Sequence, residues 1–386
     1  MKSVRLIVPL LALVLALPAL AGAVLVMGTA QTVAGRFFAV GLMAAAVAVM
    51  LLTGAVAAQR RRRKAMRRLG LVHLLGAAGL LGICYALSPD GEVPEGSRLR
   101  SEWGGEAEFQ RGSLGNLIPE VDQVAAALWL FPYFDNAAPQ ASVERLRLAL
   151  MRNYYALDGD RGFSAAASAL PATFREQIRM PVEGDHVFSY LPAAAGDGGA
   201  SGHEVALPVV IYLHGDWGNL KAGIWNWKGF ADASGYAMVA PTRTAASWDS
   251  DGGMRAVRDA LEVVRGDARL DAGRVVLVGY AAGATGLPRA AVEFAGAFES
   301  FIFISSEMGP AVLRSARLRE EWKGKRVLFV HGEQDLRSPL PALQKDIGAL
   351  RDQEIEVFLQ VFPGEDQFLF WTRSDDLFAL IGDWLD

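Results

Sequence analysis

The chain is short of cysteine throughout, of acidic residues near its start and of histidine near its end. Each shortage excludes something. Cys84 is the only cysteine in 386 residues, so no internal disulfide can form, and either side of a membrane suits the chain. Residues 1–88 contain no Asp or Glu but ten Lys or Arg. Residues 89–386 hold 28 basic and 42 acidic side chains, so the net charge of −4 is the sum of about +10 and −14. The acidic part argues against nucleic-acid binding, because neutralising phosphates needs a basic face. The histidines are His73, His186, His203, His214 and His331, and none follows His331. An imidazole base from the last 55 residues is therefore excluded. Asp335, Glu365 and Asp366 have no histidine near them downstream, which is a weak metal-ligand pattern. Glu365 and Asp366 read as solvated loop acids, and neither metal nor cofactor is expected.

What is abundant is apolar sequence. Leu6–Met27 and Phe37–Ala58 are each long enough to span a bilayer, and Leu69–Leu87 is a third such run interrupted only by His73. Between the second and third stand Arg60, Arg61, Arg62, Arg63, Lys64, Arg67 and Arg68. The positive-inside rule puts this cluster in the cytoplasm. The second span then runs inward and the third outward, and the rest of the chain lies on the periplasmic or extracellular side. The expected location is the inner (cytoplasmic) membrane, crossed several times, with the lipid bilayer as a partner. Lys2, Arg5 and the Ala19–Ala21 stretch also resemble a secretory signal peptide, but the run is long for one. A retained helix is the expectation, and both readings give the same topology downstream. The spans carry no set of buried charges of the kind transport needs, so they read as an anchor.

Residues 89–115 are polar and rich in Gly and Pro, and read as a linker. Residues 116–178 have helical character, most clearly around Leu146, Leu150, Met151 and Tyr154. They read as a cap over a pocket or a docking surface, with plain packing as the simplest role. From about Arg179 to Asp386 apolar strand-like runs alternate with helical stretches. The strands are expected at His186–Leu191, Leu207–Leu213, Tyr236–Ala240, Val275–Val278, Phe301–Ser305, Val327–His331 and Ile355–Phe362. That alternation implies an α/β fold with a doubly wound, mainly parallel sheet, preceded by three N-terminal transmembrane helices.

The chain is organised around Arg274–Ala284, RVVLVGYAAGA. A β-branched run enters a tight glycine turn and leaves as an Ala-rich helical stretch. This resembles the G-x-S-x-G elbow of the α/β-hydrolase superfamily, in its esterase- and peptidase-like branches. Gly279, Ala282 and Gly283 are as small as such a turn requires, but Ala281 stands where the nucleophilic serine belongs. The resemblance covers about half the chain and implies further positions. The family's acid follows a late strand in a phrase like HGxxD, which here is His331-Gly332-Glu333-Gln334-Asp335, so Asp335 matches the acid. The family's histidine follows the last strand in a phrase like PGxxH-F, and Gln367 stands there. The oxyanion donors it implies are the backbone N–H of Asp216 or Trp217, after His214-Gly215, and that of Ala282. His214 then reads as a structural member of its loop rather than a base. Ser305, Ser306 and Thr285 lie near the elbow without occupying its exposed point. Trp225 reads as a packing residue and Trp217 as part of a pocket or its rim.

With two of three triad positions replaced, the expectation is a membrane-anchored, extracytoplasmic hydrolase-like protein without serine-hydrolase turnover. It would act by binding a small acyl- or ester-like ligand or a protein partner. Two alternatives stay open. One is an active ester or peptide hydrolase with a non-standard catalytic set. The other is a sensor subunit of a membrane complex.

Overall fold

The computed structural model describes residues 2–103, 111–168, 186–192, 206–243, 247–308, 313 and 315–386. The expected domain start near Arg179 and the end of the helical stretch at 169–178 lie outside the described residues. The chain folds as two compact units, one of Met1–Pro89 with Gln110–Phe134 and one of Asp90–Phe109 with Asp135–Asp386.

The first unit holds α1 (Lys2–Thr29), α2 (Val33–Ala57), α3 (Arg60–Leu87), α4 (Leu114–Leu117) and α5 (Glu120–Phe134). The first three are long and apolar enough to cross a membrane. α2 turns small residues inward, with Gly35, Ala39, Gly41, Ala46, Ala48 and Ala55 buried. Small residues let helix backbones approach where lipid gives no hydrophobic drive. The arginine cluster was expected as a link between spans. It instead forms the first turns of α3, and only Ala58 and Gln59 separate α2 from α3. Arginine has high helix propensity, so the charge run continues the helix rather than breaking it. At the other end of the unit Thr32 caps α2, its Oγ1 accepting the Gly35 N–H at 2.9 Å. The buried Asp122 of α5 holds the same turn. Its Oδ1 accepts the N–H groups of Gln31 (2.6 Å) and Thr32 (3.1 Å), and its Oδ2 accepts the Thr32 hydroxyl at 2.5 Å. Arg111 donates to the carbonyls of Ala86 and Ser88, closing the end of α3.

The second unit is built on eight strands: β1 (Leu99–Trp103), β2 (His186–Tyr190), β3 (Leu207–Leu213), β4 (Ala237–Pro241), β5 (Leu270–Tyr280), β6 (Ser300–Ile304), β7 (Arg326–Gly332) and β8 (Glu356–Phe362). Their order is β1-β2-β4-β3-β5-β6-β7-β8. β1–β2 and β2–β4 are antiparallel and the other pairs parallel. β1 lies inside the expected linker 89–115, which is therefore not a linker throughout. The expected helical segment 116–178 is divided as well: α5 belongs to the first unit, whereas α6 (Gln140–Leu157) and α7 (Arg161–Ala165) belong to the second.

Helices cover both faces of the sheet, which is why β3, LPVVIYL, is almost wholly apolar. On one face Val209, Ile211, Leu213, Val275 and Leu277 pack against α9 (Asp251–Gly266), α10 (Leu287–Glu293), α11 (Ala316–Trp322) and α12 (Leu340–Arg351). On the other, Tyr212 stacks on Phe370 at 5.4 Å. There Trp227 and Phe230 of α8 (Lys221–Ser234) meet Phe378 of α14 (Ser374–Leu385). Phe370 itself lies in the short α13 (Leu369–Thr372). α6 is pinned on this side. Asn153 bonds Asn226 at 3.2 Å, and Asn226 donates to the Phe370 carbonyl at 2.7 Å.

Candidate functional site

β5 ends at Tyr280, the chain turns through a 3-10 segment at Ala281–Gly286, and α10 begins at Leu287. Ala281 sits at φ +48°, in the left-handed region. A non-glycine residue there costs about 1–2 kcal/mol, so the surroundings must impose it. Two glycines show how. A β-carbon at Gly283 would lie 2.0 Å from the Leu213 carbonyl oxygen, and one at Gly279 would lie 2.4 Å from Ala284 Cα. The turn is thus folded tightly back on itself and against the end of β3. The loop after β3 meets it, since a β-carbon at Gly215 would be 3.6 Å from Ala281 Cβ and 3.3 Å from Tyr280 Cδ1. The turn is sharp and strained, with a methyl group at its point.

His214 organises that loop. Its Nδ1 pairs with the Gly215 carbonyl at 2.7 Å and its Nε2 accepts the Arg243 N–H at 3.1 Å. Burial holds its pKa down to about 3, so the ring is neutral and fully engaged. Next to it Asp216 is exposed, 3.8 Å from Arg243 and 3.9 Å from Arg337, and Trp217 is half-buried. Trp225 packs edge-on against Phe163 at 5.0 Å, and Trp227 is fully buried.

Asp335 follows β7 in a turn and is buried. Its Oδ1 accepts the N–H groups of Arg337 (2.8 Å) and Ser338 (2.9 Å), and its Oδ2 lies 3.7 Å from His331 Nε2. Burial raises its pKa, against the pull of those N–H groups and of His331. His331 Nε2 donates to the Ser338 carbonyl at 2.6 Å, leaving Nδ1 without a hydrogen-bond partner among the described residues.

Gln367 is buried in the loop after β8. Its amide nitrogen donates to the Ala137 carbonyl at 2.8 Å, and its own backbone carbonyl accepts the Tyr280 hydroxyl at 3.0 Å. Tyr280 thereby ties the elbow to this loop. Burial, with the nearby charges of Asp335 and Asp366, pushes its phenol pKa up, so it stays a protonated donor. The loop is locked to the Asp335 turn as well, because Gln334 N–H donates to the Glu365 carbonyl at 2.7 Å. Ala281, Asp335 and Gln367 therefore gather at the C-terminal ends of β5, β7 and β8.

Glu365 and Asp366 are not the solvated acids expected. Both are buried, and Arg145 of α6 pairs with Asp366 at 2.9 Å and Glu365 at 3.5 Å. Arg337 also pairs with Asp135. Residues 135–145 thus form a strap fastened by three ion pairs and the Ala137 carbonyl. The roles of Tyr280 and Arg145 were not foreseen, although the segment 116–178 that contains the strap was read as a cap or docking surface. Tyr280 was visible inside the elbow phrase, whereas a backbone acceptor such as Ala137 leaves no mark in sequence.

A second set of polar groups lies beside the elbow. β6 and β7 pair Ile304 with Val330, so Ser305 and His331 come next on neighbouring strands. Ser305 is buried at φ +51°, its N–H donates to the Val330 carbonyl at 2.9 Å, and its hydroxyl has no partner among the described residues. A cleft of about 660 Å3, lined by Arg100, Glu102, Asp259 and Asp267, opens elsewhere, near the start of β5 at Leu270. No group of metal-ligating side chains occurs among the described residues.

No protein-family model and no curated protein matches the chain. Similar solved structures include a thermostable esterase at 16% identity and TM-score 0.42, covering 52% of this chain. The chain spans 58% of that esterase's length. An S-formylglutathione hydrolase from Agrobacterium tumefaciens is 18% identical with TM-score 0.41, covering 53% of this chain and 91% of its own. A ferulic acid esterase is 15% identical with TM-score 0.43, covering 52% and 92%. The chain's own strand order, with its strained turn after β5, is that of an α/β-hydrolase fold preceded by three long apolar helices.

Proposed function

We propose that this is a membrane-anchored protein whose hydrolase-like domain lies outside the cytoplasm and works by binding rather than by acyl turnover. The observation that carries the reading is Ala281: the elbow keeps its left-handed strain and its packing but presents no attacking oxygen. Gln367 supports it, because an amide held by the Ala137 carbonyl cannot take a proton from a nucleophile. Losing a triad member removes most of the chemical acceleration and leaves only what binding and oxyanion donors supply. The ligand class is a small acyl- or ester-like molecule above the elbow, or a protein partner on the strap. The arginines at the start of α3 support the sidedness through the positive-inside rule.

The test uses the full chain in mild detergent, offered a panel of short-chain esters and a fluorophosphonate probe. The expected result is no serine labelling and no turnover above the detergent blank. The second reading, an active hydrolase, is favoured by Ser305, His331 and Asp335 at and just beyond the adjoining ends of β6 and β7. Covalent labelling of Ser305, or ester turnover abolished by Asp335→Asn, would establish it and end the first.

A further inference from the structure

We propose that α5 is an interfacial membrane helix. Its exposed aromatic side, Trp129, Tyr133 and Phe134, is covered by lipid of the leaflet opposite the Arg60–Arg68 cluster.

The first argument is position. Asp122, in the first turn of α5, grips the Gln31–Thr32 turn where α1 ends and α2 begins. That turn closes two of the three spans, so it marks one boundary of the apolar layer. The arginine cluster marks the other, at the start of α3. α5 packs on α1, so it starts at the first boundary and belongs to the same body as the spans. At 1.5 Å per residue, Trp129 is about 10 Å from Asp122 along the helix axis.

The second argument is composition. The acids of α5, Glu120 and Asp122, both stand in its first turn. From Val124 to Phe134 the helix carries no charge. Val124, Ala125 and Leu128 are buried within the unit, while Trp129 is 56%, Tyr133 74% and Phe134 81% exposed. A surface meant for water would interleave charges here. Indole and phenol rings with a wet edge and an apolar body instead suit the level where headgroups meet acyl chains. α1, on which α5 packs, likewise exposes an apolar side chain near this boundary, Val24 at 61%.

The test is site-directed spin labelling of the full chain in phosphatidylcholine–phosphatidylglycerol nanodiscs. Cys84→Ala removes the single native thiol. Nitroxides are then placed one at a time at Trp129→Cys, Tyr133→Cys and Phe134→Cys, with Leu15→Cys as the lipid reference. Tyr155→Cys on α6, where the side chain is 65% exposed, is the water reference. Collisions with oxygen and with a water-soluble nickel chelate are measured. The α5 labels should favour oxygen over chelate, with ratios between the two references. Quenching of tryptophan emission by brominated lipid should fall in Trp129→Phe relative to the parent chain, a readout that keeps an aromatic ring in place. Chelate access at the α5 sites equal to that at residue 155 overturns the proposal. So does low access to both quenchers, which would mean that protein, either another part of this chain or a second copy, covers the face.

Discussion

Gly283→Ala is the sharpest probe of the elbow. The added β-carbon would lie 2.0 Å from the Leu213 carbonyl oxygen, 2.6 Å from its carbon and 2.8 Å from the His214 oxygen. These are backbone atoms at the end of a central strand, so no side chain can swing aside. Restoring ordinary contact requires a separation of more than about 1 Å between β3 and the turn, and overpacking of that kind costs about 1–3 kcal/mol. The loss of glycine's freedom in the unfolded chain returns at most about 1 kcal/mol. The net expectation is a loss of about 2 kcal/mol, a large part of the 5–15 kcal/mol typical of a domain. Gly229→Ala is the matched control. It sits on the exposed side of α8 with nothing within 4 Å, and should gain about 0.5–1 kcal/mol. Urea titration of the full chain in detergent, followed by tryptophan emission, reads both, because Trp227, Trp248 and Trp322 are fully buried in the second unit. With a slope of about 2 kcal/mol per molar, the Gly283→Ala midpoint should drop by about 1 M. A midpoint equal to that of the parent chain or of Gly229→Ala refutes the packing of the elbow on β3.

Acid should weaken the second unit between about pH 6.5 and 3. Burial holds His186 and His214 down to about 3, so below the ordinary histidine value the unfolded chain binds protons that the folded chain refuses. Their stabilisation is complete above that ordinary value and is lost as pH falls, by about 2 kcal/mol for each ring at pH 5. Asp335 opposes this, since its raised pKa adds stability as pH falls through its folded value. Urea midpoints at pH 7.5 and 5 should show a smaller acid loss in His214→Gln than in the parent; equal losses would rule out the buried neutral ring. In the first unit, Asp122→Ala should strand the N–H groups of Gln31 and Thr32. At about 1.5 kcal/mol or more for a bond to a charged acceptor, amide exchange there should quicken about tenfold. Unchanged exchange would mean that another group holds the turn.

What sequence revealed and what it hid divide along physical lines. Gly279 and Gly283 were legible because close backbone approach admits no other residue. β3, β5 and β7 were legible because strands covered on both faces must be apolar. The place of Asp335, in a turn just after β7, was legible in its phrase. β1 was missed because LRSEW lies in a polar stretch, and its place comes from pairing with β2 across 80 or more residues of chain. Glu365 and Asp366 were misread for a similar reason: the Arg145 that neutralises them is 220 residues away. The expected hydrolase-like domain also omitted α6, because nothing in its own residues names the loop it fastens.

The backbone at Ala281 has a consequence for what this chain can become. A hydroxyl introduced there would arrive already aimed, because the surrounding chain enforces the torsion. One nucleotide change converts an alanine codon to serine, and one converts glutamine to histidine. Serine at 281 with histidine at 367 is therefore a short walk in mutational distance, and the strap across residue 367 is the obstacle that a library of such variants would have to loosen.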